Sequence, residues 1–197
     1  SHGLAAIAVC EAYAMTKDPD LEKPAQLALN YIAWAQDPRG GGWRYSPGQP
    51  GDTSVLGWQL MALQSGRAAN LHVPVESFEL ATRFLDSVSH DGGAKYGYVP
   101  GQGPTHVMTA EALLCRMYLG WKHDYPPMET GIQYLLDRHL PSSRDPNIYY
   151  WYYATQTLHH FGGPSWDRWN TRMREILVET QERSGHEAGS WDPKGDH

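Results

Sequence analysis

The sequence predicts an all-α fold of about eight helices, paired into four helical hairpins and stacked in two layers. Three observations predict it. Segments of helical period alternate with Gly/Pro-rich loops, and no stretch shows the strict alternation of a half-buried strand. The helices themselves alternate in kind, apolar nearly all round and then amphipathic, as an inner layer covered by an outer layer requires. A loop signature also recurs at intervals of about 50 residues, so the hairpin is the repeating unit.

The helices are expected at residues 3–15, 21–35, 53–65, 75–89, 106–119, 127–139, 148–161 and 166–181. The first opens Leu4-Ala5-Ala6-Ile7-Ala8-Val9-Cys10, which has no polar face and must be buried on all sides. The second is amphipathic: Leu27, Tyr31 and Trp34 share one face, and Glu22, Lys23, Gln26 and Asn30 point away. The third, Val55 to Leu63, and the fifth, built on Ala110-Glu111-Ala112-Leu113-Leu114-Cys115, are again apolar. So is the seventh, with its run Tyr149-Tyr150-Trp151-Tyr152-Tyr153. The fourth, sixth and eighth are amphipathic. Gly41-Gly42-Trp43-Arg44-Tyr45-Ser46-Pro47-Gly48-Gln49 leads into the third helix. Gly92-Gly93-Ala94-Lys95-Tyr96 and Pro100-Gly101-Gln102 lead into the fifth, with Tyr45 aligned to Tyr96. Asp52-Thr53 and Thr105-His106 then stand in equivalent places at the start of an inner helix. A looser third copy, Gly189-Ser190-Trp191-Asp192-Pro193, reads as the loop into a further inner helix.

Composition narrows the function. The 197 residues form a single domain, and Lys+Arg 16 against Asp+Glu 22 leaves a net charge of −6. With no basic cluster to meet phosphates, the chain is not expected to bind nucleic acid. It has no apolar run of the roughly 18 residues that a membrane span needs. Trp 8 and Tyr 12 against Phe 3 favour rings with a polar edge, suited to lining a cavity or filling wide helix interfaces. Cys10 and Cys115 lie in apolar stretches and read as small core residues, which leans towards a reducing compartment. The chain begins Ser1-His2-Gly3 with no initiator Met or signal peptide, and reads as a domain excised from a longer protein.

Gln36 followed by Gly42-Trp43, and Gln181 followed by Gly189-Ser190-Trp191, resemble the Gln…Gly…Trp motifs of squalene–hopene cyclases. Those enzymes share an α/α toroid of concentric helical hairpins with protein prenyltransferase β-subunits, complement thioester domains and prenyltransferase/squalene-oxidase-repeat proteins. The resemblance implies that fold. Complete toroids commonly have five to seven hairpins, so four here imply an incomplete one whose open side a homodimer would cover. The chemistry does not carry over. There is no Asp-x-Asp-Asp acid, since Asp18-Pro19-Asp20 falls in a turn. Asp52 is not followed by the Cys of a prenyltransferase zinc set, and no Gly-Cys-Gly-Glu-Gln string occurs. The motif residues themselves have a stability role: Gln satisfies backbone groups at a helix end, Gly makes the turn and Trp covers the junction.

Three constellations are candidate sites. His2, Asp52, Thr53, Thr105 and His106, with Asn147 and Tyr149, stand at inner-helix starts, which meet at one mouth of a toroid. Free N–H groups there suit an anionic ligand such as a diphosphate or carboxylate; His2, Asp52 and His106 could hold a metal; Asp52, Thr53 and Thr105 could simply cap helices. Tyr149, Tyr152 and Tyr153 share a side of the seventh helix, where they line a funnel or pack between helices. His159-His160 fit a helix C-terminus. Glu111, and Glu11 in an equivalent place, are carboxylates on inner helices. Facing an apolar funnel, Glu111 would have a raised pKa and could serve as an acid, with Asp52 a second catalytic candidate; otherwise Glu111 pairs with Arg116 or Arg44. Asp124 and Asp145 read as turn residues. The leading expectation is a domain binding an isoprenoid or other apolar ligand in an aromatic funnel, with no cofactor. A protein-interaction module and a polysaccharide lyase of the α/α-barrel type are the alternatives.

Overall fold

A computed structural model describes residues 1–144 and 146–192. Its helices are α1 (His2–Thr16), α2 (Pro19–Ala35), α3 (Thr53–Ala68), α4 (Val75–Ser87), α5 (His106–Tyr118), α6 (Pro126–Arg138), α7 (Ile148–Phe161) and α8 (Gly163–Thr180). The starts are chemically specified. Asp18, Asp52, Thr105 and Asn147 each accept a hydrogen bond from a first-turn backbone N–H. Proline opens α2, α6 and α8, where its missing N–H costs nothing; this carries α2 and α8 two to three residues earlier than the periodicity indicates.

The packing divides odd from even. α1 lies on α3, α3 on α5 and α5 on α7, a continuous row. α2 covers α1 and α3, α4 covers α3, α6 covers α5, and α8 covers α7 and α6. One apolar core runs through both sets, from Cys10 and Leu29 through Leu60, Leu85 and Leu114 to Leu158, Trp169 and Ile176. Cys10 and Cys115 are both buried in it. α5 is enclosed over the whole stretch Met108–Arg116, as a helix without a polar face must be. Among the described residues no helix is long and apolar enough to cross a membrane.

Four expectations need correction. First, a small antiparallel sheet exists, with β1 (Ser89–His90), β2 (Lys95–Gly97) and β3 (Pro104–Thr105) in that order. Strands of two or three residues are too short to carry an alternation signal. Second, α2 buries Ala25, Leu29 and Ile32, while Leu27, Tyr31 and Trp34 are exposed. The helix is apolar on two sides, and the slimmer side fits against α1 and α3. Third, α1 is not enclosed: Leu4 and Met15 are exposed, because α1 has only α3 beside it in the row. Fourth, the repeat aligns Tyr96 with Trp43 and not with Tyr45. Trp43 bridges to Asp52 and Tyr96 pairs with Thr105, both pairs join a buried ring to the N-cap of the next inner helix, and both members are 53 residues apart between copies. Tyr45 is exposed. Asp145 and Pro193, read as a turn residue and as the end of the third loop copy, lie outside the described residues.

The Gln…Trp loops use the same bonds twice. Gln36 Nε2 donates to the Gly41 carbonyl at 2.8 Å, and Trp43 Nε1 to the Ile32 carbonyl in the last turn of α2 at 2.7 Å. Gln181 Nε2 donates to Gly189 at 2.9 Å, and Trp191 Nε1 to Leu177 in the last turn of α8 at 2.8 Å. Each indole thus satisfies a helix-end carbonyl. Gly41 has φ +83°, and a Cβ there would sit 1.9 Å from the Leu80 carbonyl oxygen, so only glycine lets the first loop touch α4.

Candidate functional site

The N-terminal ends of α1, α3, α5 and α7 border a cavity of about 640 Å³. Those ends supply Ser1, His2, Ser54, Val55, Val107, Met108 and Tyr149, and Asn147 lies just ahead of α7. Ile32 and Tyr31 of α2, Trp43 to Pro47 of the following loop and Trp58 of α3 complete the wall. Side-chain caps fix three of these ends, those of α3, α5 and α7.

The expected site residues separate into two groups. His2, Asn147 and Tyr149 line the cavity. His2 Nε2 lies 3.1 Å from the Ala28 carbonyl oxygen, and its ring begins an aromatic series with Tyr31 at 4.6 Å and Trp34 a further 5.5 Å on. Tyr152 and Tyr153, expected beside Tyr149, do not line the cavity: Tyr152 stacks on Trp58 at 5.4 Å, and Tyr153 meets the same indole at 5.4 Å. The other group holds the framework. Thr53 is buried and donates to the Gly97 carbonyl at 2.7 Å, tying α3 to β2. Thr105 caps α5. Asp52 is fully buried; it accepts from the Val55 N–H at 2.8 Å and the Ser54 hydroxyl at 2.7 Å, and forms an ion pair with Arg44. His106 stacks on His139 at 4.4 Å with the edge of Tyr150 against it. His2, Asp52 and His106 therefore keep separate surroundings. Among the described residues no group of three or more His, Cys, Asp or Glu is placed to hold a metal.

Glu111 is a carboxyl that the fold encloses completely, and no salt bridge reaches it among the described residues. It is 0% exposed on α5, and the Tyr149 hydroxyl donates to its Oε2 at 3.0 Å. Neither basic residue considered from the sequence reaches it: Arg116 pairs with Asp86 at 2.5 Å and donates to the Tyr96 hydroxyl, and Arg44 pairs with Asp52. Room for the carboxyl comes from Gly57 of α3, where a Cβ would lie 1.9 Å from Glu111 Oε1. Burial pushes the Glu111 pKa well above the ordinary carboxylate range, and the charge on Asp52 adds to this against the opposing hydroxyls of Tyr149 and Tyr153. Burial without a cation favours the neutral acid, which can donate as well as accept. Tyr149 and Tyr153 are also raised, by burial first and by Glu111 second, and stay protonated. Glu11 is not equivalent: it is exposed and accepts from Ser65 at 3.1 Å. His159 and His160 close the last turn of α7, where His159 meets the Trp166 ring edge-on.

Trp58, Ser54 and Tyr31 were not singled out from the sequence as wall residues. The available signal was that Trp58 follows Ser54 by one helical turn, so a ring on that face must look towards the N-terminal mouth. No family model, no curated protein and no solved structure matches the chain.

Proposed function

We propose that the chain is a domain of the α/α-toroid type that binds an isoprenoid or other apolar ligand in the cavity at the inner-helix N-termini. The observation that carries this reading is the wall itself. Trp43, Trp58, Tyr31 and Tyr149 present rings, and Ile32, Val55, Val107 and Met108 present aliphatic surface. A cavity of about 640 Å³ lies within the range of about 300–1,000 Å³ typical of small-molecule sites. The row of odd helices with even helices behind it, and the two Gln…Trp loops, support the toroid arrangement. The reading concerns binding; Glu111 lies behind the wall against Tyr149, and Asp52 caps α3.

Native mass spectrometry with added farnesol tests it. The expected spectrum shows a one-to-one adduct in the wild type that is at least about tenfold weaker in Trp58→Ala, because truncating a central aromatic wall residue typically costs about 2 kcal/mol or more of binding. No adduct at any farnesol concentration below its solubility limit contradicts the reading. A second reading, a helical-repeat module that docks on protein, is favoured by the exposed Leu4, Leu27 and Trp34. Its expected occupant is a second copy of the chain, and sedimentation equilibrium reads it directly as a dimer or a monomer.

A further inference from the structure

The cavity wall carries polar groups that a wholly apolar ligand does not need. Tyr149 lines the cavity with its ring, and its hydroxyl meets the enclosed Glu111 carboxyl at 3.0 Å. Tyr153, also 0% exposed, turns its hydroxyl towards the same carboxyl but misses hydrogen-bonding geometry. Among the described residues Glu111 Oε1 and the Tyr153 hydroxyl have no hydrogen-bond partner. Two fully buried residues thus contribute orphaned polar atoms directly behind one wall residue. Such atoms are costly unless they take part in a completed network.

The groups around Glu111 decide how that network runs. Tyr149 and Tyr153 face it from α7, Asp52 approaches from the loop ahead of α3, and Cys115 lies one turn along α5. None of these is a cation, so the carboxyl keeps its proton. A protonated Glu111 can donate to the Tyr149 oxygen through the same 3.0 Å contact. The phenol hydrogen is then free to turn from the carboxyl towards the cavity, where Ser54 is the neighbouring wall hydroxyl. Ser54 gives its own hydrogen to Asp52 at 2.7 Å, so it presents an oxygen and not a donor. Of these two hydroxyls Tyr149 is therefore the donor, on a wall where Arg44 and Gln59 also carry N–H groups.

We infer that Tyr149, seated on Glu111, is a specificity-determining hydrogen-bond donor: the cavity selects a ligand whose apolar body ends in an oxygen, an isoprenoid alcohol or carbonyl, over the corresponding hydrocarbon. The inference rests on the apolar-ligand reading of the cavity and names the class of ligand within it. Glu111 acts as a positioning residue, since it reaches the ligand only through the phenol.

The test compares farnesol with the hydrocarbon farnesene, titrated against wild type, Tyr149→Phe, Glu111→Gln and Glu111→Leu, with intrinsic tryptophan fluorescence as the readout. The wild type is expected to bind farnesol about five- to tenfold more tightly than farnesene, the range of one neutral hydrogen bond. In Tyr149→Phe and Glu111→Leu that ratio falls to near one. Glu111→Gln, whose amide still donates to the phenol oxygen, keeps the preference. A merely structural role for Glu111 would weaken both ligands together and leave the ratio unchanged. An unchanged ratio in Tyr149→Phe, or equal affinities in the wild type, overturns the inference and leaves the apolar cavity standing. Failure of both probes to bind overturns the cavity reading, and the inference with it.

Discussion

Glu111 and Gly57 form a matched pair across α5 and α3, because the carboxyl occupies the space a Gly57 side chain would need. Gly57→Ala drives a Cβ into that oxygen, and the expected cost is about 1–3 kcal/mol by chemical denaturation. In a Glu111→Ala background the same substitution should cost clearly less, since the obstructing oxygen is gone; equal costs would mean that the two sites are uncoupled. The raised pKa has a definite consequence for stability. The folded-state value lies above the unfolded value of about 4.3, so the neutral carboxyl's contribution is complete below that pH. It is lost as pH rises through the folded-state value. Thermal unfolding across pH 4–9 should show Glu111→Gln gaining on the wild type as pH increases, and a difference independent of pH would contradict the assignment. Glu111 itself was legible as a carboxylate in an apolar run. Its partner was not, because Arg116, five residues on, offered a plausible cation and only the register of α4 against α5 turns that guanidinium to Asp86.

At the scale of the element, the two Gln…Trp loops make the same bonds under different cover. Trp43 is 1% exposed, whereas Trp191 is 44% exposed. Trp43→Ala should therefore cost about 3–5 kcal/mol, within the range for a buried aromatic, and Trp191→Ala markedly less, by urea denaturation. Comparable losses would mean that the indole–carbonyl bond dominates over burial. Caps, prolines and Gln…Trp loops are short-range chemistry, and all were readable in order along the chain. The small sheet was not, since its pairs depend on contacts such as Tyr96 with Thr105 that span a loop. The buried face of α2 also escaped the sequence. Leu27, Tyr31 and Trp34 outweigh Ala25, Leu29 and Ile32 in bulk, and bulk argued for the wrong side; what decided was the close approach of α3, where a Cβ on Gly66 would lie 2.5 Å from the Leu29 side chain.

Over the whole molecule, the starts of α1, α3, α5 and α7 border one cavity. The mouth was legible as a set of equivalent positions, but half of its expected members have framework duties. Asp52 caps and pairs, Thr53 ties a strand, and His106 stacks on His139 behind the wall. One-dimensional spacing fixes which end of a helix a residue occupies, while the rotation of that helix about its axis fixes what it faces, and rotation is set by packing. Occupation of this cavity by an apolar ligand, as proposed, can be read from indole N–H signals in a nitrogen–proton correlation spectrum. On titration with farnesol, the signals of Trp43 and Trp58 should move together and saturate at one equivalent. That of Trp169, buried away from the cavity with its indole bonded to Thr155, should stay in place. Movement confined to the exposed Trp34 and Trp191, or no movement at saturation, would contradict the account.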